Sequence, residues 1–146
     1  MKLRVLIATS ATLLAAAFAS AETDDEVQAH KQVLDLTGAF TNDGFKLRDG
    51  HWAGQLKPKD RAVVAVNLYA GNQYWFSAAA ANDKAKKIAV DVYDESESGK
   101  PMTTETYNEG ERASAGFSPT NSGQYFVAIS LLEGEPSTVC LVYSYK

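Results

Sequence analysis

The sequence predicts an all-β fold, a jelly-roll-like antiparallel β-sandwich of about eight strands, preceded by one N-terminal amphipathic helix. Three observations predict it. After Gly44, apolar residues recur with period two in at least five segments, as half-buried strands require. Turn residues punctuate those segments at the close spacing of a sandwich. No helical repeat falls between the strands, which excludes parallel βαβ units.

Residues 1–21 read as a cleavable secretory signal. Lys2 and Arg4 give a positive start, an apolar run extends from Val5 to Phe18, and Ala19-Ser20-Ala21 supplies the small residues of a cleavage site before Glu22. The run is interrupted by Thr9, Ser10 and Thr12 and is shorter than the ~20 apolar residues of a membrane span. The expected organisation is therefore a signal peptide over 1–21, a helix over 22–43 and a β-sandwich domain over 44–146, exported to the periplasm or secreted. Lys2 and Arg4 leave with the signal while all 18 acidic residues stay, so the exported chain is more acidic than the formal −4 of the whole. That sign argues against nucleic acid and against anionic membrane surfaces. No membrane span is expected in the mature chain. Export permits disulfides, but Cys140 is the lone cysteine and reads as a small buried apolar residue, with pairing between chains as the alternative.

The helix is expected to start at Thr23-Asp24-Asp25-Glu26, a capping box. Ala29, Val33, Leu36 and Phe40 then line one face, and Asn42-Asp43-Gly44 stops it. Short strands are expected within Phe45 to Leu56. Val64, Val66 and Leu68 mark the first clear strand, and Ala70-Gly71-Asn72 reads as a hairpin connection into Tyr74, Phe76 and Ala78. Ile88, Val90 and Val92 follow, then a polar turn from Asp94 to Pro101 and a weak strand from Met102 to Tyr107. Ala113, Ala115 and Phe117 lead to Pro119, and Tyr125, Val127, Ile129 and Leu131 resume after Ser122-Gly123. The chain closes on Val139, Leu141 and Tyr143. Val63, Ala65, Trp75, Phe126 and Val142 face away from these core positions, and the helix is expected to cover part of them.

From Gln55 onward, several segments carry a resemblance. Leu56-Lys57-Pro58-Lys59-Asp60 precedes a strand, Tyr69 to Ser77 holds a glycine turn and an aromatic strand, and Val90-Asp91-Val92-Tyr93-Asp94-Glu95 forms an acidic strand. Phe117-Ser118-Pro119 and Ser122 to Val127 complete the order. This order resembles the bacterial pre-peptidase C-terminal domain family, small β-sandwich modules attached to exported proteases or free-standing in the envelope. The resemblance implies a non-catalytic module that binds or supports another component. The helix before Gly44 lies outside the family's pattern, and no protease domain accompanies it.

The inventory of reactive side chains is thin. His30 and His51 are the two histidines, and neither stands in a metal-ligand spacing or beside a nucleophile motif. Each reads as a structural histidine, since a shared site would need a tertiary contact that local spacing does not encode. No catalytic residue is assigned and no cofactor is required, although Asp91 and Asp94 are candidate calcium ligands. Trp52, Tyr69, Trp75, Tyr93 and Phe126 are candidate ligand-binding aromatics, since flat rings serve sugars and protein partners alike. The function expected is a binding or supporting module whose partner is a protein or glycan of the envelope or the extracellular space. The alternatives are a calcium-dependent carbohydrate- or protein-binding module, or a small hydrolase.

Overall fold

The computed structural model describes residues 21–94 and 99–146. The expected signal segment up to Ser20, and the acidic turn residues 95–98, lie outside the described residues. Helix α1 spans Asp24–Asn42, with Thr23 as its N-cap. The Thr23 hydroxyl accepts from the Glu26 amide at 3.1 Å, satisfying one of the four donors that a helix start leaves open. Asp24, Asp25 and Glu26 add negative charge where the helix dipole is positive. Gly44 ends the helix with φ +91°, a conformation that glycine adopts without strain. Among the described residues no helix is long and apolar enough to cross a membrane.

Nine strands follow: β1 Lys46–Leu47, β2 Trp52–Leu56, β3 Arg61–Leu68, β4 Tyr74–Ala80, β5 Ala85–Tyr93, β6 Glu105–Glu109, β7 Arg112–Phe117, β8 Gly123–Gly134 and β9 Ser137–Tyr145. They form a six-stranded sheet in the order β1-β9-β4-β7-β6, with β2 also on β9, and a three-stranded sheet in the order β3-β8-β5. The pairings are antiparallel. From β2 to β6 the chain changes sheet at every connection, and it does so again through β7, β8 and β9, which is the winding of a jelly roll.

Three details of the strands differ from the sequence reading. The weak strand expected over Met102 to Tyr107 runs over Glu105–Glu109. The expected strand region from Phe45 to Leu56 divides in two. β1 pairs with Tyr145 and Ser144, β2 pairs with Leu141 to Ser137, and residues 49–51 loop away in between. The turn at Ala70-Gly71-Asn72 is not a hairpin connection either, because β3 and β4 belong to different sheets. Both strands point alternate residues at one shared core, so their patterns are identical whether they pair side by side or face each other across the sandwich.

The core fills the space between the sheets with Leu68, Phe76, Ile88, Val92, Val127, Ile129, Leu131 and Val139, each almost fully buried. Leaving water stabilises each large apolar side chain by roughly 1.5–3 kcal/mol. Gly134 has φ +118°, and a Cβ there would lie 2.4 Å from the Lys84 carbonyl oxygen, so only glycine fits where β5 bulges against β8.

The helix lies on the outer face of the six-stranded sheet, where Ala29 and Val33 pack with Ala79, Ala81, Cys140 and Val142. Phe40 stacks on Trp75 with ring centroids 4.5 Å apart and meets Phe45 edge-on. Arg112 donates a hydrogen bond to the Gln32 side chain, tying α1 to β7. The helix residues most buried are Ala29, Val33 and Thr37, while Leu36 and Phe40 flank this line, half-buried. Thr37 escapes a reading by hydrophobicity because its hydroxyl is satisfied locally, donating to the Leu34 carbonyl at 2.9 Å. Of the five outward apolar residues, Trp75 and Val142 lie on the helix-bearing sheet. Val63, Ala65 and Phe126 occupy the outer face of the other sheet.

Candidate functional site

The interruption between β1 and β2 opens the side of the sandwich. Residues 49–51 leave the edge of β9, and a cleft of about 450 Å³ lies between this turn, β9 and the edge strand β3. Arg48, Asp49, His51, Trp52, Asn67 and Tyr143 supply its polar and aromatic groups, and Val64, Val66 and Leu141 its apolar ones. A second depression of about 210 Å³ shares Arg48 and Tyr143 and adds Tyr69, Asn72, Tyr74 and Tyr145. The two adjoin at the Arg48–Tyr143 pair, which lines both and is here called the centre of the groove.

Local chemistry holds these side chains in place. The Arg48 amide donates to the Tyr143 carbonyl at 2.9 Å, and its guanidinium lies 5.6 Å from the centre of the Tyr143 ring, a cation–π contact. Burial raises the Tyr143 hydroxyl pKa above the usual tyrosine value, with Arg48 pulling it down and the neighbouring tyrosines adding to the rise. The hydroxyl therefore stays protonated at neutral pH, able to donate and to accept. The Tyr74 hydroxyl accepts from the Tyr69 amide at 2.9 Å and from the Asn72 side chain at 3.1 Å. These bonds fix the turn that presents Tyr69, which is 60% exposed. The Trp52 indole lies against Gly54, where a Cβ would come within 2.7 Å of the ring.

The candidate aromatics are distributed over three surfaces. Trp52 and Tyr69 line the groove. Trp75 lies beneath the helix against Phe40. Tyr93 and Phe126 are cross-strand partners on the outer face of the three-stranded sheet, where the Arg61 guanidinium sits 4.7 Å from the Tyr93 ring centre. Asp91 is half-buried on that same face, with the Thr103 hydroxyl 3.4 Å from its carboxylate. Burial raises its pKa, against the lowering by Thr103 and Arg61. Asp94 is exposed at the end of β5. Among the described residues these two carboxylates belong to no cluster of three potential metal ligands.

Such a cluster stands elsewhere. His51 Nε2 lies 2.9 Å from a Glu22 carboxylate oxygen, and the His51 ring stacks on His30 with centroids 4.1 Å apart and planes inclined by 25°. One donor atom from each of the three falls within 4.8 Å of the others. His51 also lines the groove, so the cluster and the cleft share a wall. Beneath the same helix, burial pushes the Cys140 thiol up to about 12, with Glu22 and Glu26 adding to the rise. Its thiolate fraction at neutral pH is negligible, which leaves it a packing residue.

Sequence reasoning placed two aromatics of the groove and missed Arg48, Asp49, Asn67, Tyr143 and Tyr145. One signal was available: Arg48-Asp49-Gly50-His51-Trp52 concentrates charged, ring and turn residues in a short break between strands.

Fold and groove together define an antiparallel jelly-roll sandwich with an aromatic cleft open at one side. No family model matches the chain, and no curated protein matches it. Among solved structures it is similar to PliG of Aeromonas hydrophila, a periplasmic lysozyme inhibitor of g-type lysozyme, at 13% identity over 66% of this chain and 85% of that one, with a TM-score of 0.44. It is also similar to a structure described as CBM4, at 19% identity over 74% of this chain and 83% of that one, with a TM-score of 0.42.

Proposed function

We propose that the chain is an exported, non-catalytic binding module that holds a glycan of the cell envelope or the extracellular space in the groove centred on Arg48 and Tyr143. One observation carries this reading: two adjoining depressions of about 450 and 210 Å³ share Arg48 and Tyr143 and are walled by Trp52, Tyr69, Tyr74 and Tyr145. Flat ring faces suit the apolar faces of sugars, and planar donors and acceptors such as Arg48, Asp49 and Asn67 suit their hydroxyls. The exported location follows from the leader-like start of the sequence, and the module character from the resemblance to pre-peptidase C-terminal domains. His51 directs its Nε2 to Glu22 and its ring face to His30, so it is not turned to a serine or cysteine side chain in the way that nucleophilic catalysis of that type requires.

The test is a glycan and peptide array followed by calorimetry on the hits. Arg48→Ala and Tyr69→Ala change exposed side chains and should each weaken glycan binding about tenfold, about 1.4 kcal/mol. Lys87→Ala, on β5 at the opposite edge of the three-stranded sheet from β3, should leave binding unchanged. Glycan affinity indifferent to both groove variants, or hits confined to peptides, would refute the assignment. Ester or glycoside turnover lost in His51→Ala would replace it with a hydrolase.

A further inference from the structure

The sequence holds two histidines, and the fold brings them into contact from separate elements. His30 projects from the first half of α1, and His51 ends the turn before β2. Their rings stack at 4.1 Å, and Glu22, just ahead of the helix, reaches His51 at 2.9 Å. We propose that Glu22, His30 and His51 form a binding site for a divalent transition-metal ion of the zinc or copper class.

The donor set selects that class. Imidazole nitrogens with one carboxylate suit Zn²⁺, Cu²⁺ and Ni²⁺, and three protein ligands leave a position for water. Calcium seeks six to eight oxygens and would find a single carboxylate here. The spacing is close to what an ion needs: the donor atoms lie within 4.8 Å of one another, and bonds of about 2.0–2.1 Å place tetrahedral donors roughly 3.4 Å apart. Side-chain rotation can close that difference. Because imidazole lone pairs lie in the ring plane, rings inclined by only 25° do not yet converge on one point. Binding must therefore fan them apart. A bound ion would join the start of α1 to the turn that walls the groove, coupling metal binding to the docking of the helix.

The experiment uses untagged protein recovered after export, with its N-terminus checked by mass spectrometry, titrated calorimetrically with Zn²⁺ and Cu²⁺ and melted with and without each ion. One equivalent per chain should bind, excess ion should raise the melting temperature, and the ring-proton resonances of both histidines should shift together. Ca²⁺ and Mg²⁺ should do none of these things. His30→Ala and His51→Ala should each weaken binding at least about tenfold, as even losses in the outer shell of a metal site do. His51→Phe is the decisive variant, because it keeps a flat ring in the stack and removes the nitrogens. It should fold and fail to bind. If wild-type protein takes up no zinc or copper, or His51→Phe binds as tightly as wild type, the cluster is a latch for the helix and the proposal falls. Neither readout involves a glycan, so the groove assignment stands or falls separately.

Discussion

Both sheets turn apolar residues outward, yet only one carries the helix. Beneath α1 the outer positions of the six-stranded sheet are mostly small: Ser77, Ala79, Ser114 and Cys140 are fully buried, with Trp75 at one end. The outer face of the three-stranded sheet sets the large side chains of Arg61, Tyr93 and Phe126 among its small residues Ala65, Ala89, Ala128 and Ser130. There Arg61 folds over Tyr93, and Thr103, from the segment between β5 and β6, meets Asp91, so the Tyr93 ring is covered without a helix. Side-chain size, more than apolarity, marks the face a helix can take. Small residues let the helix come close enough to bury Ala29 and Val33 completely, whereas projecting rings hold it away.

The widest contrast should come from placing one charge on each face. Val33→Asp buries a carboxylate without a partner and should cost more than about 4 kcal/mol in urea unfolding. Ala65→Asp, on the exposed face, should stay within about 0.5 kcal/mol. Equal losses would mean that the two faces are not different in kind.

Truncating one aromatic on each face sharpens the comparison. Phe40→Ala removes the stack on Trp75 and part of the helix seal, and should cost about 2 kcal/mol. Trp75 fluorescence should shift to the red as water reaches the indole. Phe126→Ala, half-buried on the open face, should cost about half as much and leave the tryptophan spectrum unchanged.

A gain is expected within the covered face itself. The Ser144 hydroxyl is buried without a hydrogen-bond partner, and such a group carries its desolvation cost uncompensated. Ser144→Ala should therefore raise stability by up to about 1 kcal/mol in the same denaturation assay. A loss instead of a gain would show that the hydroxyl has a partner in solution.

One effect is absent at neutral pH and confined to alkaline solution. Burial lifts the Cys140 thiol from 9.0 to about 12, so the unfolded chain ionises first as pH rises. The stability linked to this thiol is complete below pH 9 and declines as pH climbs toward 12. Denaturation midpoints across that window should fall less steeply for Cys140→Ala than for wild type. A thiol reagent at pH 8 should label Cys140 only after unfolding.

Much of this arrangement was legible from local pattern. The Thr23 cap, the stop at Gly44, the inward residues of the main strands and the buried Cys140 all follow from spacing and residue type, because each is settled by near neighbours or by a periodicity that burial imposes. The division of the Phe45 to Leu56 region was not legible. It depends on how residues 46–56 meet β9, whose partner positions lie at 137–145. Thr37 was hidden by its polarity, whereas the cover of Trp75 by the helix, through Phe40, agrees with the place that its outward position gave it.

The sequence by itself determined one helix with a defined start, a succession of alternating strands and the set of residues that must face inward. These are local matters, since a strand's period and a helix cap depend on a few adjacent residues. Only the tertiary structure decided which strands pair, which outer face the helix occupies, and where the chain leaves an opening. The groove requires Arg48 to meet Tyr143, and the metal cluster requires His30 to meet His51. Those meetings are set by the register of β1 and β2 on β9 and by the docking of α1 on the small-residue face. Long-range register depends on how the whole core closes, a sum over many weak contacts that no single stretch of the chain contains.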